Sequence, residues 1–228
     1  MSADDPGSLA EQARQVGDEM DSLLKSVFPR APDFEVDVLE ARSVVRPVGG
    51  FVPLFVKEER LASLHIGISC CLDSRGRYLA VEESRFKLYA DLDRTPLIRF
   101  DYVRDMRTKP HSHIQVHGHR GALSHLLSRA GHPTPHDASS LHIPTGGSRF
   151  RPCLEDVVQF LIAECRFDHQ PNWQQRVEQG RERWRRRQIA AAVRAVPGEA
   201  VRILEEMGYR VAPPDHLVSD SMAALIRW

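Results

Sequence analysis

The spacing of apolar residues near the amino terminus predicts an amphipathic helix. From Leu9 to Val27 they recur at intervals of three or four residues, so they share one helical face. Ser8 suits the N-cap and Pro29 suits a stop, which places the helix over residues 8–28. We expect its apolar face to pack on the core of the protein.

Farther along the chain the pattern changes to short runs rich in β-branched and aromatic residues. The turn Asp73–Gly76 joins two of these runs as a hairpin, and the other links are also short. Short links favour neighbouring antiparallel strands, so the runs predict an antiparallel meander. The predicted strands are Phe34–Val45, Leu61–Leu72, Tyr78–Tyr89, Pro96–Val103 and His111–His117.

Helical patterns return after the last predicted strand. A short helix is expected over 121–130, and a loop rich in glycine, proline, serine and histidine follows over 131–151. The segment 154–162 carries one apolar stripe, with Pro152 in its first turn, and predicts a helix that packs on the meander.

The predicted fold class is α+β. It is an antiparallel β-meander sheet packed by the N-terminal helix and by a helix at about 153–165, with a mostly helical C-terminal extension. We place the α+β core domain, which holds the histidine-rich strand and loop, at residues 1–168 and the arginine-rich helical extension at 169–228. Within the extension, a long helix over 172–196 precedes a second helix that ends near Met207.

The overall composition limits the class of protein. The 228 residues are 42% hydrophobic and carry no formal net charge, so the chain can bury a core but is not a general polyanion binder. The start Met1–Pro6 does not read as a signal peptide, and no run reaches the ~20 apolar residues of a membrane span, so we expect a cytoplasmic protein without membrane contact. The excess of arginine over lysine favours a bacterial source, and the four cysteines are typical of reduced thiols.

A strand of alternating histidines is the main chemical feature of the chain. His111, His113, Gln115, His117 and His119 fall on one face of this strand, because successive side chains point to opposite faces. Imidazole has a pKa near neutrality and is a common metal ligand. The face therefore suits proton transfer, metal binding or phosphate recognition.

Three interpretations of the histidine face stay open. Metal-free histidines would perform acid–base or phosphate chemistry with no required cofactor. His111 and His113 would instead chelate a divalent metal together with His117 or His142, although no glutamate follows them as it does in cupins. The third interpretation is a solvent-exposed strand face without chemistry.

A glycine pair before the helix at 153–165 provides a candidate phosphate site. Thr145, Gly146, Gly147, Arg149 and Arg151 stand where backbone N–H groups and guanidinium groups are able to hold an anion. Since paired glycines are also common in ordinary loops, the alternative is a connection without a ligand.

Two further groups are expected to converge on the histidine face. Asp101 lies on the preceding strand, where its carboxylate would orient a histidine through the ring N–H or, alternatively, form a surface ion pair of little energetic value. The loop 131–151 is expected to cover the face and to place His142 near His111 or His113.

The long C-terminal helix carries a local excess of positive charge. It would lie along a nucleic-acid backbone, contact an acidic partner protein, or simply present a solvated face. The candidate contact residues are Arg181, Arg183, Trp184, Arg185, Arg186 and Arg187.

The order of motifs along the chain carries a family resemblance. The meander, the run Arg99–Tyr102, the doublet His111–His113, the pair Arg149–Phe150 and the helix Leu154–Leu161 together resemble the small TumE-like proteins of bacterial toxin–antitoxin systems. Members of that family tend to show a similar arginine- and aspartate-containing run, a histidine-rich doublet and a closing amphipathic helix. The likeness covers roughly residues 61–165.

The resemblance implies a toxin-like protein that acts on RNA or another nucleotide-bearing target, with Asp101, His111, His113 and His142 at the site and an antitoxin as a partner. Our leading hypothesis is a phosphate-directed, RNA-cleaving protein, a nuclease or other phosphodiester-acting hydrolase, that uses the histidine cluster for acid–base chemistry. One alternative is a non-catalytic interaction or regulatory protein that binds a partner through the arginine-rich helix. Another is a divalent-metal-binding protein with a His-x-His site.

Overall fold

The computed structural model describes residues 7–107, 109–118, 121–129, 133–140, 142–145, 150–213, 215 and 218–226. Its described part forms one antiparallel sheet with helices packed on one face, so the predicted α+β fold is confirmed. The N-terminal helix and the helix near 153–165 both pack on the sheet, as expected.

The sheet is built around one long strand, and all its strand pairs are antiparallel. Within the described ranges the eight strands are β1 (Phe34–Val38), β2 (Ser43–Pro47), β3 (Phe51–Val56), β4 (Glu59–Leu72), β5 (Leu79–Ala90), β6 (Pro96–Val103), β7 (Ser112–Val116) and β8 (Ile143–Pro144). Their order is β1-β2-β4-β5-β6-β7-β8, and β3 also pairs with β4. One edge of β4 pairs with β5, while its other edge pairs with β3 and then with β2.

Three parts of the sheet differ from the sequence prediction, and one of them is β8, which lies within the predicted loop 131–151. The run 34–45 is a hairpin rather than one strand, and the turn between β1 and β2 is closed by the Leu39 N–H, which donates to the Arg42 carbonyl at 2.8 Å. β3 is absent from the prediction, because Pro53 weakens a strand pattern. The proline is tolerated since β3 pairs with β4 alone and so lies at an edge.

The helices begin and end close to the predicted positions. They are α1 (Leu9–Val27), α2 (Gly121–Arg129), α3 (Leu154–Ala163), α4 (Trp173–Ala195), α5 (Pro197–Glu206) and α6 (Met222–Ile226), with a 3₁₀ turn at Ala138–Ser140. A capping box starts α1: the Glu11 N–H donates to the Ser8 hydroxyl at 3.3 Å, and the Ser8 N–H donates to the Glu11 carboxylate at 2.7 Å. Within the described residues, no helix is both long enough and apolar enough to cross a membrane.

One hydrophobic core lies between the sheet and helices α1, α3 and α4. Leu24 of α1, Ile66 of β4 and Val158 of α3 are completely buried in it. α4 adds Val177 to the same core, although the sequence prediction assigns this helix to the extension beyond residue 168. The arginine-rich helix is therefore packed on the α+β core along its first turns.

Candidate functional site

The alternation of side chains along β7 separates the candidate site from the core. Ile114 lies beside Phe100 of β6, whose ring packs on Phe160 of α3 with 6.0 Å between ring centroids. His113 and Gln115 therefore point to the face opposite the helices. They are nonetheless only 4% and 7% exposed.

The pairing of β8 with β7 brings His142 to His113. Pro144 lies opposite His113 in this pairing, and the His113 and His142 rings meet edge to face with 4.6 Å between centroids. The expected proximity of His142 to a strand histidine is confirmed. At this distance the two imidazoles are able to exchange protons with the same bound group.

Hydrogen bonds orient both rings. The His113 Nδ1–H donates to the Pro110 carbonyl at 3.0 Å, which leaves the lone pair of the neutral ring on Nε2. The Gln115 amide nitrogen donates to the Ser139 carbonyl at 2.5 Å and approaches His142 Nε2 at 3.3 Å. Gln115 thus ties the covering loop to β7 and favours the neutral form of His142.

The surroundings of His142 disfavour its charged form. Burial lowers the pKa of His142 most, and the nearby charges of Lys109 and His113 lower it further, while a hydrogen bond to the Ser140 backbone acts in the opposite direction. Once protonated, His142 is therefore a stronger acid than free imidazole.

Asp101 is the cross-strand neighbour of His113, but its carboxylate binds Arg99. Asp101 Oδ2 accepts a hydrogen bond from Arg99 Nη2 at 2.6 Å, while its Oδ1 has no partner among the described residues. The Nδ1 of His113 is occupied by Pro110. The prediction that Asp101 orients a histidine is therefore wrong for His113, and Asp101 binds Arg99 instead. A charged guanidinium binds a carboxylate more strongly than a neutral imidazole does.

The strand register adds two residues that the sequence analysis misses. His65 of β4 lies beside Lys87 of β5, Lys87 beside Arg99 of β6, and Arg99 beside Gln115 of β7. All four share the face of His113. Because Leu64 and Ile66 are buried in the core, alternation along β4 predicts that His65 points to the opposite face. Only the strand register shows that His65 lies in the same row across the sheet as Gln115 of β7.

His111 does not join His113, which corrects the prediction that the two share one face. His111 precedes β7 and lines a cleft of about 910 Å³ on the helix side of the sheet, together with Tyr102 and Arg151. The alternation that fixes the direction of His113 therefore does not extend to His111.

The two described residues of the predicted phosphate cradle, Thr145 and Arg151, lie away from the histidine pair. The Thr145 hydroxyl donates to the Ser112 hydroxyl at 2.6 Å, and the buried Arg151 guanidinium lies 4.0 Å from the centroid of the Tyr102 ring. Tyr102 and Ser112 are cross-strand neighbours on the helix side, so Arg151 lies on the wrong side of the sheet to reach His113. The other three cradle residues, Gly146, Gly147 and Arg149, lie outside the described residues.

Of the predicted metal ligands, the structure brings together only His113 and His142 among the described residues. His111 and His113 are separated as described above, and the Nε2 of His117 is buried without a hydrogen-bond partner in the described part of the chain. Over that same part, no three histidine, cysteine, aspartate or glutamate side chains are grouped as ligands of one ion. His119 falls outside the residues that the structure describes.

Comparisons with known proteins add no family to this geometry. Searches of family models, curated proteins and solved structures found no match. The resemblance to TumE-like proteins therefore stays a prediction, and the chemistry of the histidine pair is the basis for a function.

Several predicted contact residues of α4 hold that helix on the protein. Arg181 donates to Asp156 of α3 at 2.8 Å, and Arg187 donates to Glu19 of α1 at 2.7 Å. The Trp184 ring stacks on the Arg151 guanidinium at 5.6 Å. Arg183, Arg185 and Arg186 are exposed, and Arg187 is exposed as well although it is paired with Glu19.

Proposed function

We propose that this chain is a toxin-like, phosphate-directed bacterial protein that cleaves RNA with the His113–His142 pair. The observation that carries the proposal is the contact of the two rings at 4.6 Å, one with its Nε2 lone pair available and one with a lowered pKa. Metal-free cleavage of a phosphodiester requires one group that accepts a proton from the attacking oxygen and one group that donates a proton to the leaving oxygen.

The two histidines take different roles in this reaction. His113 Nε2 accepts the proton of a ribose 2′-hydroxyl, whose oxygen attacks the adjacent phosphorus and forms a new P–O bond. The bond from phosphorus to the 5′-oxygen breaks, and protonated His142 gives its proton to that oxygen. The products are a 2′,3′-cyclic phosphate and a 5′-hydroxyl end, so atoms and charges balance without a co-reactant.

Positive charge beside the histidines supports the same reaction. Arg99 lies next to Gln115 in the strand register, and Lys87 lies one strand farther from His113. Cations at this position stabilise the charge that develops on the phosphate oxygens in the transition state. Asp101 holds Arg99 in place and acts as a positioning residue.

His113 is only 4% exposed, so RNA reaches it only when residues around it move. Residues 133–140 are held near β7 by the Gln115–Ser139 hydrogen bond, while His142 is held there by the pairing of β8 with β7. Movement of residues 133–140 would therefore admit a strand of RNA and leave His142 beside His113.

Replacement of the histidines tests the proposal. Turnover of a fluorescent RNA oligonucleotide should fall by at least about 100-fold in His113→Ala and in His142→Ala. The control His169→Ala removes an exposed histidine that contacts Trp173 and should keep wild-type turnover. Full turnover by both site variants, with their circular dichroism spectra unchanged, would refute the proposal.

A second candidate function is a non-catalytic interaction protein. It is favoured by apolar side chains that are exposed on the C-terminal helices, among them Ile189, Ile203 and Ile226. Binding of a partner through α4 would be lost in Arg183→Glu/Arg185→Glu and kept in His113→Ala. The opposite pattern would assign the binding to the histidine face.

A further inference from the structure

A row of side chains crosses the sheet on the face opposite the helices. In strand order it holds Phe51, His65, Lys87, Arg99 and Gln115, each placed beside the next by the strand register. Since neighbouring strands are about 4.8 Å apart, this open-face row is about 19 Å long. It ends at Gln115, which contacts the ring of His142.

One end of the open-face row is aromatic. The Phe51 ring lies 5.5 Å from the His65 ring and 5.7 Å from the Tyr89 ring, and Phe51 is 43% exposed. An exposed aromatic group on a sheet is a platform on which a base is able to stack.

The middle of the row is cationic and incompletely paired. Lys87 forms no ion pair with any described residue, while Arg99 is paired with Asp101 through Nη2 alone. Arg99 Nε and His65 Nδ1 are buried without hydrogen-bond partners in the described ranges. A buried polar nitrogen without a partner is costly, and Arg99 Nε always carries a hydrogen, so this atom favours a ligand that carries oxygen acceptors.

The titration of His65 supports a positive field along the row. Burial lowers the pKa of His65 most, and the charges of Lys87 and Arg85 lower it further, although Asp101 opposes them. A phosphate placed over the row would relieve this repulsion between cations.

We propose that the open-face row binds single-stranded RNA and guides it to the His113–His142 pair. A base stacks on the ring of Phe51, Lys87 contacts the RNA backbone, and the strand continues over Arg99 toward Gln115. The binding of RNA by the row stands by itself. That the bound RNA is also the substrate rests on the proposed function, since the row contains no catalytic group.

The chemistry of the row favours a single strand over a duplex. Stacking on Phe51 needs a base whose face is free, and the bases of an RNA duplex are stacked on one another. Stacking and backbone charge also tolerate most sequences, so little sequence preference is expected.

Binding of an RNA that cannot be cleaved tests the inference separately from catalysis. The probe is a fluorescein-labelled, fully 2′-O-methylated single strand of about eight nucleotides, followed by fluorescence anisotropy. Phe51→Ala should raise its Kd by about tenfold, and Lys87→Glu should raise the Kd and also flatten its dependence on salt. The matched control is Phe150→Ala, which removes another exposed phenylalanine outside the row and should keep the wild-type Kd.

The outcomes separate this inference from the proposed function. Wild-type Kd values in both Phe51→Ala and Lys87→Glu would overturn the inference even if RNA is cleaved. Equal affinity for the matching RNA duplex would also overturn it. Row-dependent binding without any cleavage of ordinary RNA would support the row as an RNA site and would instead contradict the nuclease proposal.

Discussion

The ring of His142, from the segment before β8, lies edge to face on the ring of His113 of β7, with 4.6 Å between the two centroids. The charge of His113 is one of the causes that lower the pKa of His142, after burial and the charge of Lys109. The Gln115 side chain contacts both the Ser139 carbonyl and His142 Nε2, so a change at Gln115 should alter the protonation of His142.

The first prediction concerns pH. Since His142 must be protonated to act as the acid and its pKa is lowered from 6.5, turnover should decline as the pH rises through a value below 6.5. Gln115→Glu places a negative charge beside His142 Nε2, which should raise the pKa of His142 and move this decline to higher pH.

The pH–rate profile and the NMR titration of His142 measure both effects. Gln179→Glu makes the same change at an exposed position of α4 and should leave the profile in place. A profile that is identical in wild type and Gln115→Glu would contradict the role assigned to His142.

The second prediction concerns the Arg99–Asp101 pair. Asp101 is 6% exposed and Arg99 is 28% exposed, so Arg99→Met leaves a carboxylate nearly buried without its cation. The free energy of unfolding at pH 7 should fall by about 3 kcal/mol, and the added change Asp101→Asn should restore part of it. Urea unfolding of the two single variants and the double variant gives the coupling between them.

The matched control for that pair is Arg46→Met. Like Arg99, Arg46 forms ion pairs with carboxylates, in this case those of Glu35 and Asp37. All three of these side chains are well exposed. The control should therefore cost less than about 1 kcal/mol. If Arg99→Met lowers the free energy of unfolding no more than Arg46→Met does, then burial of an unpaired Asp101 carboxylate costs the protein no stability, and the prediction is wrong.

The third prediction concerns Glu155 of α3, which lies against α4 at Gly180. Burial raises the pKa of the Glu155 carboxyl, although a hydrogen bond with Cys153 partly opposes this. The contribution of a carboxyl whose pKa is raised on folding is complete below its unfolded pKa of about 4.3 and is lost as the pH rises through its higher folded pKa.

Glu155→Gln should therefore be more stable than wild type at pH 7, and the difference should vanish as the pH falls below about 4. Urea unfolding at the two pH values measures it, with Glu178→Gln on the exposed side of α4 as the control. A stability difference that is the same at both pH values would contradict the assignment to the carboxyl charge.

The sequence predicts most elements because their local signals agree with the final packing. The capping box at Ser8 and the apolar stripe of α3 are complete within their own segments. The hairpin of β1 and β2 is harder to predict, because its link Leu39–Arg42 contains none of the usual turn residues. β3 is missed since only its edge position makes Pro53 acceptable.

The candidate site depends on contacts that one sequence does not encode locally. Alternation correctly orients His113 and Gln115, but it fails at His111, which lies just outside β7. The contribution of His65 and Lys87 follows from strand register alone. Arg151 has the right charge for a phosphate, yet its burial against Tyr102 is decided by tertiary packing.

The most direct test of the central claim is the chemical nature of the cleaved ends. A purified RNA oligonucleotide is compared by mass spectrometry with the same oligonucleotide in which every ribose lacks its 2′-hydroxyl. We predict that the RNA gives 2′,3′-cyclic phosphate and 5′-hydroxyl ends through His113 and His142, and that the deoxy strand stays intact. Cleavage of both strands at similar rates, or 5′-phosphate ends on the RNA products, would contradict the account.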